Sequence, residues 1–170
     1  MPNGHSLHGL RTQRLQPMIE PVREAITIPV TRSEAFAAFV ERLSSWWPPS
    51  YTWSGDVLDR IAIEPKVGGR CLERGPHGFE VDWGRVLSYE PPSRIVFTWQ
   101  ISPRREPVPD PAQSSEVEVL FTEDGEGTRV ELVHDHFGRH REGAEGYREA
   151  MASGQGWAYL LDCYRSGLAV

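Results

Sequence analysis

The sequence predicts an α+β fold, a curved antiparallel sheet of six or seven strands wrapped on a long C-terminal helix, with short helices after the first strand. Three observations predict it. Residues 22–28 alternate and are β-branched, whereas residues 32–43 repeat their apolar positions at helical spacing. From Asp59 to His136 the period is two, broken by turn residues. A second helical stripe then runs from Tyr147 to Leu168.

Taken in order, VREAITI is the first strand, and Pro29 ends it. Thr31 or Ser33 caps the helix that follows, Glu34 adds charge to its first turn, and Ala35, Phe36, Phe39, Val40 and Leu43 form its apolar side. Pro48 and Pro49 stop it just after Trp46 and Trp47, and YTWSGD reads as a loop. The meander places strands at about 60–64, 70–74, 79–89, 94–101, 116–122 and 128–136, separated by KVGG, GPHG, EPPS and EDGEG turns. Residues 102–113 hold four prolines and read as a loop within the domain. In the terminal helix Tyr147, Met151, Trp157, Leu161, Tyr164 and Leu168 share a stripe, while Gly154 and Gly156 weaken it and mark a bend.

Composition narrows the function. The 170 residues suffice for a core without a metal or disulfide staple. A net charge of −6 argues against nucleic acid and against an anionic membrane surface. Cys71 and Cys163 stand far apart in no CxxC pair, so two reduced thiols in a cytoplasmic protein are expected. The first segment carries no apolar run of signal or membrane length. Residues 1–20 are expected to be a disordered extension, with Met18 an alternative start, and residues 21–170 one domain.

Several ordered stretches carry a closer likeness: RLSSWWPP at 42–49, IEPKVGGRCLERG at 63–75, DWGRVLSYEPPSRIVFTWQI at 82–101, SEVEVLF at 115–121, GTRVELVHDHF at 127–137 and Gly156-Trp157. Together they resemble bacterial proteins of the SRPBCC, or START-like, superfamily. The branch is the one similar to the C-terminal domain of the activator of the heat-shock-protein-90 ATPase. The resemblance spans residues 21–168 and implies a helix-grip fold with a cavity between the sheet and the terminal helix. It fixes the cavity, not its contents, because the superfamily spans lipid carriers, hormone receptors, cyclases, toxin-resistance and stress-associated proteins. The eukaryotic co-chaperones also carry an N-terminal domain, which is expected to be missing here because only about twenty residues precede the first strand.

Strand parity assigns the inward face. Val81, Trp83, Arg85, Leu87 and Tyr89 share one side, as do Ile95, Phe97, Trp99 and Ile101, then Val117, Val119 and Phe121. On the last strand Val130, Leu132, His134 and His136 align. The expected cavity wall is therefore Trp83, Arg85, Phe97, Trp99, Phe121, His134 and His136, closed by Trp157 and Tyr164 from the helix. An inward Arg85 demands a carboxylate, and Glu73 and Glu80 are the nearest in the meander.

His134, His136 and His140 are the nearest approach to a metal-ligand set, but no HExxH or paired carboxylate accompanies them, and neither metal nor cofactor is expected. His134 reads better as a hydrogen-bonded pocket residue. Cys71 lacks a histidine partner by spacing and there is no GxSxG, so no catalytic residue is assigned. The leading reading is a module that binds a small hydrophobic or amphipathic molecule without catalysis. The alternatives are a stress-response protein acting on a chaperone, and a cavity-based hydrolase, dehydratase or cyclase with His134 as its acid-base group. Helix-grip proteins commonly form homodimers, but no interface signature is legible.

Overall fold

The computed structural model describes residues 18–168. The expected disordered extension falls largely on residues 1–17, which lie outside the described residues; of its last part, Ile19 packs on the core and the Glu20 carbonyl accepts a bond from Arg148 Nε at 3.2 Å.

Seven antiparallel strands form one curled sheet: β1 (Val22–Ile28), β2 (Arg60–Ile63), β3 (Arg70–Arg74), β4 (Glu80–Glu90), β5 (Arg94–Trp99), β6 (Ser115–Asp124) and β7 (Gly127–Asp135). Their spatial order is β1-β7-β6-β5-β4-β3-β2, so β1 lies beside β7, the last strand, and the rest is a meander. Helices α1 (Arg32–Val40) and α2 (Leu43–Trp46) follow β1. Thr31 caps α1, accepting a bond from Glu34 N at 3.3 Å.

The terminal helix runs in two segments, α3 (Ala144–Ala152) and α4 (Trp157–Leu168). The break falls at Ser153–Gly156, where the bend was expected. Its tightness needs glycine, because a Cβ on Gly156 would lie 2.1 Å from the Met151 carbonyl oxygen. This break is what opens a pocket below.

The inner sheet face and the helices share one core. Phe39 meets Tyr164 and Phe121 edge-on at 5.3 and 6.0 Å, and Trp46 meets Tyr164 at 5.3 Å. Trp47, Trp83, Trp99 and Trp157 form a second aromatic group with centroid spacings of 5.3 to 6.2 Å. Each such ring contributes about 1.5–3 kcal/mol by burial, and this pins the register of every strand that carries one.

Parity counting fails on β4. Trp83 and Leu87 are extra residues opposite β3 and β5, where the register shifts from Cys71↔Gly84 to Leu72↔Asp82 and from Val86↔Phe97 to Ser88↔Val96. Each bulge flips the faces, so Trp83, Val86 and Tyr89 point inward at intervals of three, and Leu87 is 41% exposed. Arg85 consequently leaves the cavity wall. It turns outward with Asp82, its Nη2 3.1 Å from Asp82 Oδ2. Neither expected partner meets it: Glu80 pairs with Arg70 at 2.5 Å and Arg74 at 3.3 Å, and Glu73 is buried elsewhere.

Candidate functional site

A pocket of about 400 Å³ opens where two loops meet the break between α3 and α4. That volume suits a small organic ligand. Trp99 and Ile101 at the end of β5, Trp47 after α2, and Met151 and Leu160 across the helix break supply its apolar walls. Tyr51, Trp53 and Arg105 supply its rim.

Buried hydrogen bonds hold these loops in place. Glu73, 1% exposed on β3, accepts from Trp53 N at 3.1 Å, Ser54 N at 2.8 Å and Ser54 Oγ at 2.7 Å. A carboxylate that gathers three donors fixes the direction in which the loop leaves. Trp53 Nε1 then donates to the Arg105 carbonyl at 2.7 Å, and Tyr51 OH to the Gln155 carbonyl at 2.7 Å. The two loops and the helix break are thus laced together by aromatic donors. Arg105 sits in a turn at φ 64°, tightened by Ser102, and its guanidinium lies 4.7 Å above the Tyr147 ring. The Tyr147 hydroxyl accepts from Trp99 Nε1 at 2.6 Å and donates to the Ile101 carbonyl at 2.9 Å.

Behind the pocket wall runs a polar chain of fixed direction. Trp157 Nε1 can only donate, and it lies 2.9 Å from His134 Nδ1. His134 therefore carries its proton on Nε2, which donates to Ser115 Oγ at 2.7 Å. The Ser115 hydroxyl in turn donates to His140 Nε2 at 2.8 Å, which also accepts from Ser115 N at 3.2 Å. Each acceptor is filled and each ring is neutral. Burial, reinforced by His140, drives the His134 pKa well below its ordinary value, and burial lowers that of His140 to about 4.

Both histidines titrate lower in the native state than in the unfolded chain, so between pH 6.5 and about 4 the unfolded chain binds more protons. Their contribution to stability is complete above pH 6.5 and fades as the pH falls. The urea midpoint is expected to drop between pH 7.5 and pH 5, and His140→Gln to lessen that drop. Equal midpoints at the two pH values would show that the pair is not held neutral.

Of the residues expected to line the cavity, only Trp99 borders this pocket. Trp83, Phe97, Phe121 and Trp157 are at most 2% exposed within the packed core, and His134 is sealed beneath it. Tyr164 edges a second hollow of about 360 Å³, beside the Arg42–Glu34 ion pair. His136 does not continue the His134 row: β7 ends at Asp135, whose carboxylate accepts from His136 N at 2.7 Å, and the ring turns out to 4.0 Å from Glu116. The three histidines therefore do not converge, and no metal-binding group of three occurs among the described residues. Cys71 is buried against Gly84 with its thiol pKa pushed up by desolvation, far from nucleophile chemistry. Sequence reasoning missed Tyr51, Trp53, Arg105 and Met151. The signals were two aromatics in a loop after a double proline, and a helix interrupted by SGQG.

The family model described as "Activator of Hsp90 ATPase homolog 1-like protein" matches residues 29–163. No curated protein matches the chain. Among solved structures, a complex of the anthrahydroquino-gamma-pyrone synthase Txn09 is 35% identical, with TM-score 0.64, over 89% of this chain and 98% of that one. CalC, a self-sacrificing resistance protein from Micromonospora echinospora, is 25% identical with TM-score 0.58, over 86% and 92% of the two chains. A Mesorhizobium loti protein, 20% identical with TM-score 0.63 over 88% and 97%, shares the fold. With its curled seven-stranded sheet gripping a bent terminal helix, the chain belongs to the Activator of Hsp90 ATPase homolog 1-like family of SRPBCC proteins.

Proposed function

We propose that this protein binds a small hydrophobic or amphipathic molecule in the pocket at the α3–α4 break, in the cytoplasm, with no reaction required. One observation carries the reading: a core filled by interlocking aromatic rings leaves a space of about 400 Å³ at a place the chain has built with buried hydrogen bonds. No helix among the described residues is long and apolar enough to cross a membrane. Native mass spectrometry of protein purified from its own host is expected to show a bound small molecule at one-to-one stoichiometry. A thermal-shift screen of apolar and amphipathic compounds should raise the melting temperature with some of them. No adduct and no shift across such a screen would exclude the reading.

The 35% identity to a synthase supports a second reading, a ring-forming enzyme acting on an anthrahydroquinone-type aromatic. The expected acid-base group, His134, is fully enclosed and cannot touch a substrate. The second reading therefore requires turnover that survives conservative replacement of His134, measured as a new chromatographic product. The chaperone reading has the family description as its support, and a pull-down with the bacterial chaperone tests it.

A further inference from the structure

We infer that the pocket recognises a flat aromatic anion and that Arg105 is the residue that reads its charge; this rests on the ligand-binding reading above. The chain carries a net charge of −6, yet among the described residues the only formally charged one lining the pocket is Arg105. None of the ion pairs among the described residues includes Arg105, whereas Arg70, Arg74, Arg85 and Arg94 all meet carboxylates. Its guanidinium lies instead over the Tyr147 ring, 4.7 Å from the centroid, without an acidic partner. The position is built rather than incidental. Arg105 N donates to the Ser102 carbonyl at 2.8 Å, its own carbonyl is held by Trp53, and its φ of 64° is one that a non-glycine residue adopts only under constraint.

The other polar side chains at the pocket, Ser50, Thr52, Ser153 and Gln155, carry no charge that would offset the guanidinium. The lining also includes the rings of Trp47, Tyr51, Trp53 and Trp99. Flat aromatic surface suits those rings by offset or edge-on contact. Aromatic walls alone would also attract a cation, and the positive charge of Arg105 opposes one. A carboxylate, sulfonate or phenolate on a planar ring system satisfies both demands.

The test compares two dyes of one skeleton, 8-anilinonaphthalene-1-sulfonate and uncharged N-phenyl-1-naphthylamine, titrated against the wild type and against Arg105→Gln. Arg105 is at the surface, so the variant is expected to keep the wild-type melting temperature. Arg105→Gln is expected to weaken the sulfonate dye about five- to twenty-fold, the range of a charge-assisted contact discounted for solvent exposure. The uncharged dye is expected to change less than about two-fold, and Arg105→Lys to recover part of the sulfonate affinity. If both dyes bind one-to-one and Arg105→Gln shifts them equally or not at all, the anion assignment is overturned and ligand binding stands. If neither dye binds the wild type, the ligand-binding reading falls and takes this assignment with it.

Discussion

Replacing His134 by alanine is expected to lower the unfolding free energy by about 3–5 kcal/mol, a large share of what a domain of this size possesses. The ring is completely buried and serves two partners at once. Alanine would strand the Trp157 indole N–H and leave the Ser115 hydroxyl with His140 alone, each stranded buried group costing about 1–3 kcal/mol. It would also open a void beside Phe137, whose ring stacks on His134 at 4.2 Å. His134→Gln separates the two contributions. A glutamine oxygen can accept from Trp157 and its amide can donate to Ser115, so roughly half of the loss should return. Urea denaturation at pH 7.5 measures both variants. A loss below about 1 kcal/mol for His134→Ala would mean that the chain from Trp157 to His140 does not hold the core together.

The sequence showed this histidine but mistook its company. Strand parity placed His134 on the inner face, and its neighbours Val130 and Leu132 are there with no measurable exposure. Parity also placed His136 beside it, and that failed because β7 stops one residue earlier, at Asp135, in a turn whose φ of 64° no alternation pattern encodes. Ser115, the residue that joins His134 to His140, opens the SEVEVLF stretch but belongs to no catalytic or ligand pattern. It became visible only when β6 and β7 were paired, with Val117 opposite His134.

On β4 the difficulty was of another kind. Eleven residues read as one strand with a single inner face, but two bulges divide it into segments of opposite phase. One clue was present: Gly84 sits mid-strand, where a glycine signals a bulge or close backbone approach, and a Cβ there would be 2.3 Å from the Thr98 carbonyl oxygen. Counting through that clue sent Arg85 inward. The pocket escaped for a related reason. Periodicity finds the faces of regular elements, and this pocket is walled mostly by residues outside them, in the loop at 50–53, the proline-rich loop and the helix break. By contrast β1 and β3 agree with the residues read from sequence, because a proline or glycine ends each one sharply.

Glu73→Ala is expected to cost about 2–4 kcal/mol and, separately, to abolish the pocket as a binding site. In the native state the carboxylate is enclosed, with Trp53 N and Ser54 N and Oγ as its donors. Alanine removes all three acceptor contacts, so the two amides must find water and the loop at 52–55 must move to let them. Trp53 moves with the loop, and the bond from its Nε1 to the Arg105 carbonyl breaks, releasing the second loop. Two walls of the pocket therefore depend on one carboxylate that never touches its contents. Glu73→Gln distinguishes this from general destabilisation: its amide oxygen retains one side of the contact while its NH₂ faces the Ser54 amide as a second donor. That variant should lose dye affinity out of proportion to its loss of stability. If instead dye binding in Glu73→Gln tracks only the folded fraction in urea, the loop is held by other contacts, and the pocket does not depend on Glu73.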